Sequence, residues 1–325
     1  MKLIGRDKEI QAVEDCMAVH MAGLHPGECP AGVFMLAGPS GCGKTRTIEH
    51  LAHKWHGNHR SFVKIDCGEF QLEHEVAKLV GAPPGYLGHR ETTPILTQAR
   101  LTAAQSQNCN ISFVLFDEIE KAAPSMQRIL LGVMDKAQLK LGDNSVVNFE
   151  KSIIFFTSNL GTRGLFKKNL FSYVPSERTE IKDLEIKAAI KGHFSPEFVN
   201  RLTDIFVYHP LTEEDSRAVV RAELDRFGAL VSNRFTGTTV IYDDSLVEAM
   251  YIRGFSREYG GRELKRAIHK NVIIPLARWA SGGNSFAYSV CSLSWENEAL
   301  QIDKVSRNEA GAGMQAPSRV GGRRK

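Results

Sequence analysis

The sequence predicts an α/β protein, with a parallel sheet flanked by helices over residues 1–210 and a mainly helical smaller domain carrying a short β element over 211–304. Three observations predict it. Five apolar runs, near 33–37, 62–66, 111–116, 152–157 and 204–208, alternate with helical stretches, the pattern of strands buried on both faces. The first run passes through a glycine loop straight into helical sequence, the order of a strand, a phosphate-binding turn and a helix. From about residue 211 an acidic first turn precedes apolar residues at helical spacing, with Thr212 as the expected N-cap.

Taken in order, residues 33–37, "VFMLA", form the first strand and 38–45, "GPSGCGKT", the loop, before the helix-like "RTIEHLAHKW". Gly38, Gly41 and Gly43 free the backbone so that its N–H groups curl around phosphate oxygens, with Pro39, Ser40 and Cys42 as the other nucleotide-binding positions of the loop. Lys44 reaches the terminal phosphates and Thr45 can ligate Mg²⁺. Residues 111–118, "ISFVLFDE", form a buried strand that delivers two carboxylates to the same sheet edge. There Asp117 can hold the Mg²⁺ shell and Glu118 can orient or deprotonate a water. A strand ending in Asp-Glu is weak evidence alone, but about 70 residues after a phosphate loop it completes a hydrolytic ATP site. The run 152–159, "SIIFFTSN", brings Asn159 to that edge, where its amide can position the attacking water or merely turn the chain. The closing segments "SFAYSVCSLSW" and "ALQIDKV" read as strands of the second domain.

The stretch "GAPPGYLGHR", 81–90, sets prolines and glycines around Tyr86 and precludes regular structure there. The ring is either displayed on the loop or folded back on the core.

Composition narrows the class. The chain has 325 residues, 42% hydrophobic and 24% charged, enough for two domains with sizeable cores. The net charge of +4 resides in residues 306–325, where Arg307, Arg319, Arg323, Arg324 and Lys325 face Glu309 alone, so the body is near neutral. This Gly, Ala and Ser-rich end reads as a disordered basic tail over 305–325. A neutral body without a basic stripe speaks against nucleic acid as partner. The six cysteines form no C-x-x-C pair, and no signal-peptide or membrane-length apolar run occurs. These features lead us to expect an unexported, cytoplasmic protein with reduced thiols.

The segments "GPSGCGKT", "KIDCGEF", "VAKLVGAPPGYLG", "VLFDEIEKAAP", "TSNLG", "FSPEFVNRLTDIFVYHPLTEED" and "REYGGRELKRAI" follow one another as in the AAA+ ATPase module of the Clp unfoldases and disaggregases. The chain resembles in particular the second, C-terminal module of ClpB, ClpA and ClpC, over roughly residues 3 to 303. The resemblance implies ATP and Mg²⁺ as cofactors, a homo-oligomeric ring, hexameric by analogy, and a polypeptide client threaded through its pore. It implies that Leu3, Ile4 and Gly5 pack on adenine and that Arg201 is an arginine finger given to a neighbouring subunit. It assigns Arg262 to sensor 2, acting on the nucleotide of its own subunit; either arginine could otherwise simply solvate a surface. In this resemblance Gly85, Tyr86, Leu87 and Gly88 form a pore loop whose ring grips any chain without demanding a sequence. The segment 138–144, "QLKLGDN", matches a second pore loop, though without the family's glycines.

The match begins almost at the first residue, which reads as a module standing alone in a single ring. No docking loop for a ClpP-type peptidase stands where the family carries one, so no peptidase partner is expected. The segment "KKNLFSYVPSERTEIKDL" departs from the family pattern and has no assigned role. The other function class weighed is a nucleic-acid motor or loader built on the same module, favoured only by the basic tail.

Overall fold

A computed structural model describes residues 5–81, 94–162, 175–256, 259–282 and 289–306. Leu3, Ile4, the loop Gly85–Gly88 with Tyr86, and the tail from residue 307 lie outside the described residues. The chain divides into two compact units, one of Met1–Pro210 and the other from Leu211 onward.

Five strands of the first unit form one sheet: β1 (Gly32–Ala37), β2 (Val63–Asp66), β3 (Ser112–Asp117), β6 (Ser152–Ser158) and β7 (Asp204–Val207). Their order is β2-β3-β6-β1-β7 and every pairing is parallel. These are the five runs expected from the sequence. The remaining strands of this unit, β4 (Gln138–Lys140) and β5 (Val146–Asn148), make a separate antiparallel hairpin.

The continuous apolar runs have a physical cause in how the sheet is covered. Val33, Met35, Val114, Phe116, Ile154 and Phe156 enter one cluster, with the helix Pro124–Lys136. The intervening Phe34, Leu36, Phe113, Leu115, Ile153 and Phe155 enter the other, with the helices Asp7–Met21 and Lys44–His56. With both faces covered, alternation disappears and the middle positions of β1, β3 and β6 are all apolar. Phe113, Phe116, Phe155 and Phe156 are fully buried, and each contributes about 1.5–3 kcal/mol by leaving water.

The parallel arrangement places the carboxyl ends of all five strands on one edge. At that edge β1 runs into the glycine loop, β3 ends at Asp117 and β6 leads into Asn159. The chain leaves interior strand β1 for edge strand β2 and later returns past β1 to β7, a reversal that opens a crevice where ligands of such sheets bind.

The segment 138–144, expected as a second pore loop, supplies β4 and the start of a hairpin turn. Leu139, Leu141 and Val147 are buried, while the tip around Asp143–Val146 and the alternate strand residues Gln138, Lys140 and Asn148 are exposed. The helix Pro175–His193 begins within the segment of unassigned role and continues past it, with Ile186 and Ile190 in the core.

The second unit opens as expected. Thr212 caps the helix Glu213–Arg234: its hydroxyl accepts from the Asp215 N–H at 3.0 Å, and the Asp215 carboxylate accepts in return from the Thr212 N–H at 3.3 Å. Helices Asp244–Gly254, Gly261–Ile268 and Ile274–Ser281 pack with it around Val220, Leu224, Leu246, Met250, Leu264 and Leu276. The two expected closing strands, β9 (Ser289–Glu296) and β10 (Ala299–Ser306), pair antiparallel. A further strand, β8 (Thr239–Tyr242), pairs parallel to β9 and was not expected from the sequence. Strand β10 continues through Val305 and Ser306, two residues that composition alone had put in the tail.

Candidate nucleotide site

The loop between β1 and the helix Lys44–His56 is built on positive backbone angles that L side chains avoid, with φ of +156° at Gly38, +77° at Gly41 and +102° at Gly43. A Cβ on Gly43 would meet nothing within 4 Å, so the loop presents an open concave side there. On its other side the loop rests on Tyr208, whose carbonyl oxygen would lie 2.4 Å from a Cβ on Gly38. Tyr208 is fully buried and its hydroxyl shares a 2.8 Å hydrogen bond with the Thr47 hydroxyl, one turn into the helix. Burial pushes its phenol well above the ordinary range, so it stays neutral.

Lys44 is buried at the start of that helix, and its ammonium is held by three oxygens. Nζ donates to the carbonyls of Gly38 at 2.5 Å and Pro39 at 3.0 Å, and to Oδ1 of Asn159 at 2.8 Å. A cation aimed at the loop's own carbonyls is poised to exchange those oxygens for phosphate ones. Asn159 Nδ2 in turn faces Glu118 Oε1 at 3.5 Å. The structure thus brings Lys44, Asn159 and Glu118, expected from three separate strands' ends, into one contact chain.

Glu118 sits in the left-handed region, φ 57° and ψ 50°, a conformation rare for a residue with a side chain. Its backbone is held there by Thr157, whose hydroxyl accepts from the Glu118 N–H at 2.9 Å and donates to Asp117 Oδ1 at 2.5 Å. Asp117 Oδ2 is paired with Lys64 of β2 at 2.7 Å. Burial pushes the Asp117 carboxyl up. The hydrogen bonds from Lys64 and Thr157 and the charges of Lys64 and Lys44 outweigh that and leave it below the usual carboxylate range. An ionised carboxylate beside the loop suits a divalent cation. The Thr45 hydroxyl, which makes no hydrogen bond among the described residues, suits it equally. The residues therefore fit Mg²⁺ bound with a nucleotide.

Several residues of this network had no signal in the sequence. Thr157 reads as one more β-branched strand residue, yet it is the only side chain that touches both Asp117 and the Glu118 backbone among the described residues. Lys121 forms an ion pair with Glu118 Oε2, whose hydrogen bond and charge hold the ammonium above its ordinary range. Glu120 accepts the Asn159 N–H through Oε1 at 3.0 Å, and its Oε2 is buried without a hydrogen bond. Arg6 lies over the Tyr208 ring, 4.2 Å from its centre, and reaches the carbonyls of Cys42 and His209, each at 3.5 Å.

Thr157→Val should destabilise the first unit by about 2 kcal/mol, because a buried N–H and a carboxylate oxygen lose their partner. Thr157→Ser should recover most of it. Thermal unfolding of the two variants checks this, and equal melting of valine and serine forms would refute the bridging role.

Of the other expected residues in the first unit, Arg201 lies outside this contact chain. Arg201 pairs with Asp135 and the carbonyl of Glu197 rather than with any residue of the loop network. Arg262 is exposed near the start of the helix Gly261–Ile268 in the second unit. Among the described residues no group of three or more His, Cys, Asp or Glu forms a further metal cluster, and all six cysteines are free. No helix among them is long and apolar enough to cross a membrane.

A five-stranded parallel sheet whose first strand feeds a glycine loop and a buried lysine, beside an Asp-Glu strand end, defines a P-loop nucleotide-binding protein. The chain belongs to the AAA domain family (Cdc48 subfamily), whose profile matches residues 29–205. Residues 211–286 match a second family, the C-terminal, D2-small domain of ClpB protein. Among curated relatives, "Chaperone protein ClpB" of Agrobacterium fabrum is 34% identical over 281 residues, 86% of this chain and 30% of that protein. "Chaperone protein ClpB" of Meiothermus ruber is 34% identical over 277 residues, 85% of this chain and 31% of the relative. "Heat shock protein 100" of Trypanosoma brucei brucei is 34% identical over 276 residues, covering 84% of this chain and 30% of that relative. The chain thus spans about a third of the length of the relatives it matches.

Proposed function

We propose that this chain is an ATP-dependent protein-remodelling ATPase, an unfoldase or disaggregase that works as a homo-oligomeric ring. The observation that carries the ATPase part is the contact chain from Lys44 through Asn159 to Glu118, with Asp117 held ionised beside it. The protein-remodelling part rests on relatives that carry the names chaperone protein ClpB and heat shock protein 100.

In this reading residues 1–210 are the ATPase domain and 211–304 the small domain, with a basic tail beyond. The backbone of Gly38–Gly43 and the ammonium of Lys44 bind the phosphates, while Leu3 and Ile4 cover the adenine. Thr45 and Asp117 hold Mg²⁺. Bound Mg·ATP supplies a γ-phosphoryl group whose spreading negative charge needs cations and a positioned water. Glu118 takes the proton of that water, and Asn159 orients it while keeping Lys44 and Glu118 in register. Arg201 from a neighbouring copy and Arg262 add positive charge at the phosphates. Tyr86, on the loop Gly85–Gly88, grips the polypeptide.

The test separates hydrolysis from gripping. Tyr86→Ala should leave Mg·ATP turnover near its original rate and abolish ATP-dependent unfolding of a stably folded substrate. Retained unfolding would remove the gripping role. Stimulation of turnover by single-stranded DNA and not by unfolded protein would replace this reading with a nucleic-acid motor. Full-rate turnover by a chain that stays monomeric with nucleotide would remove the ring.

A further inference from the structure

We infer that Asp135 is the positioning residue for Arg201, fixing the guanidinium so that its free edge faces the phosphates of a neighbouring copy. This rests on the reading of Arg201 as a finger given in trans. Arg201 Nε donates to Asp135 Oδ1 at 3.2 Å, and Nη1 donates to the carbonyl of Glu197 at 3.3 Å. A guanidinium carries five N–H donors in a rigid plane. Nε–H points to the side of the plane away from Nη1, so the two contacts hold the group from both sides, and the Nη2 hydrogens with the second Nη1 hydrogen at the outer end are left to match two phosphate oxygens.

Both carriers of the pair are anchored while the pair itself is accessible. Asp135 lies in the last turn of the helix Pro124–Lys136, whose Met126, Leu130, Val133 and Met134 are buried. Arg201 follows the short helix Pro196–Asn200, pinned by Phe198, which is 1% exposed and has its ring 5.2 Å from that of Phe156 on β6. The Arg201 and Asp135 side chains are themselves 30% and 50% exposed. A long arginine anchored only at its Cα would sample many rotamers; the bond at Nε removes most of them.

The placement of Asp135 has no local benefit. A carboxylate in the last turn of a helix opposes the negative end of the helix dipole, and an exposed ion pair adds little to stability. Its partner supplies the reason: a carboxylate at this point directs Arg201, and a neutral or absent one would not.

Four full-length variants test this: Arg201→Ala, Asp135→Asn, Asp135→Glu and the double Arg201→Ala/Asp135→Asn. The measurements are kcat and KM for Mg·ATP, assembly with nucleotide, and thermal unfolding. Asp135→Asn is expected to lower kcat about 10- to 100-fold, the effect of a misplaced catalytic group, with KM, assembly and melting unchanged. Asp135→Glu should restore most of the turnover. The double variant should be no slower than Arg201→Ala, since residues acting through one another are not additive. If Arg201→Ala slows turnover and Asp135→Asn does not, or if the double is slower than Arg201→Ala, the positioning role is overturned and the finger survives. If Arg201→Ala itself turns over normally, the finger reading fails first.

Discussion

Glu118→Gln should lower ATP turnover by about 10²- to 10⁴-fold, the range expected when a general base is removed, while nucleotide binding is retained. The glutamine amide has the carboxylate's shape but cannot take a proton. The surroundings argue that little else is lost. The backbone of residue 118 is held in its left-handed conformation by Thr157 through the N–H, which the substitution keeps. The ion pair with Lys121 is lost, but the two side chains are 49% and 34% exposed, so its removal costs little. The loop contacts of Lys44 with Gly38 and Pro39 do not involve Glu118 at all. Phosphate release under saturating Mg·ATP, together with equilibrium binding of a fluorescent nucleotide, checks both halves of the expectation. Undiminished turnover would move the base elsewhere, with Glu120 the nearest alternative because it already contacts Asn159 and has a buried unpartnered oxygen.

Gly38→Ala is expected to destabilise the first unit by about 3 kcal/mol or more and to abolish nucleotide binding with it. Two effects add. The Cβ would lie 2.4 Å from the Tyr208 carbonyl oxygen and 2.7 Å from the Tyr208 Cβ, and the first of these is backbone that a rotamer change cannot move. Overpacking of this kind costs about 1–3 kcal/mol, and forcing a side chain into an unfavourable backbone region costs a similar amount. Tyr208 cannot retreat, since its N–H is bonded to the Ala37 carbonyl at 2.7 Å and its hydroxyl to Thr47. For a unit of this size about 3 kcal/mol corresponds to a melting point lowered by roughly 6–12 °C. Calorimetry measures it. By contrast Gly43→Ala meets no atom within 4 Å and strains only the backbone, φ +102°, so it should destabilise less than Gly38→Ala. The reverse order would refute the role of Tyr208 as the floor of the loop.

The two substitutions differ in how far they could be foreseen. Gly38 and Glu118 are visible in the sequence because a tight phosphate turn and a strand-end carboxylate leave local marks. That Gly38 is intolerant for its contact with a residue 170 positions later is not visible. Asp117, Glu118 and Asn159 were legible for the same local reason: each ends an apolar run, and parallel strands deliver their ends to one edge. Thr157, Lys64, Lys121 and Glu120 were not, since a threonine in a strand or a lysine beside a carboxylate carries no mark of which partner it will meet. The hairpin β4–β5 was missed because strands of three residues leave too short a period to recognise.

By itself the sequence determined the five strands of the sheet, the glycine loop and the change of character at residue 211, because hydrophobic period and glycine placement act over a few neighbouring residues. Only the tertiary structure decided the strand order, the Thr157 bridge between Asp117 and Glu118, the Tyr208 support beneath Gly38 and the pairing of Arg201 with Asp135. Each of these depends on a distance between groups far apart along the chain, and such distances exist only once the two faces of the sheet have been covered.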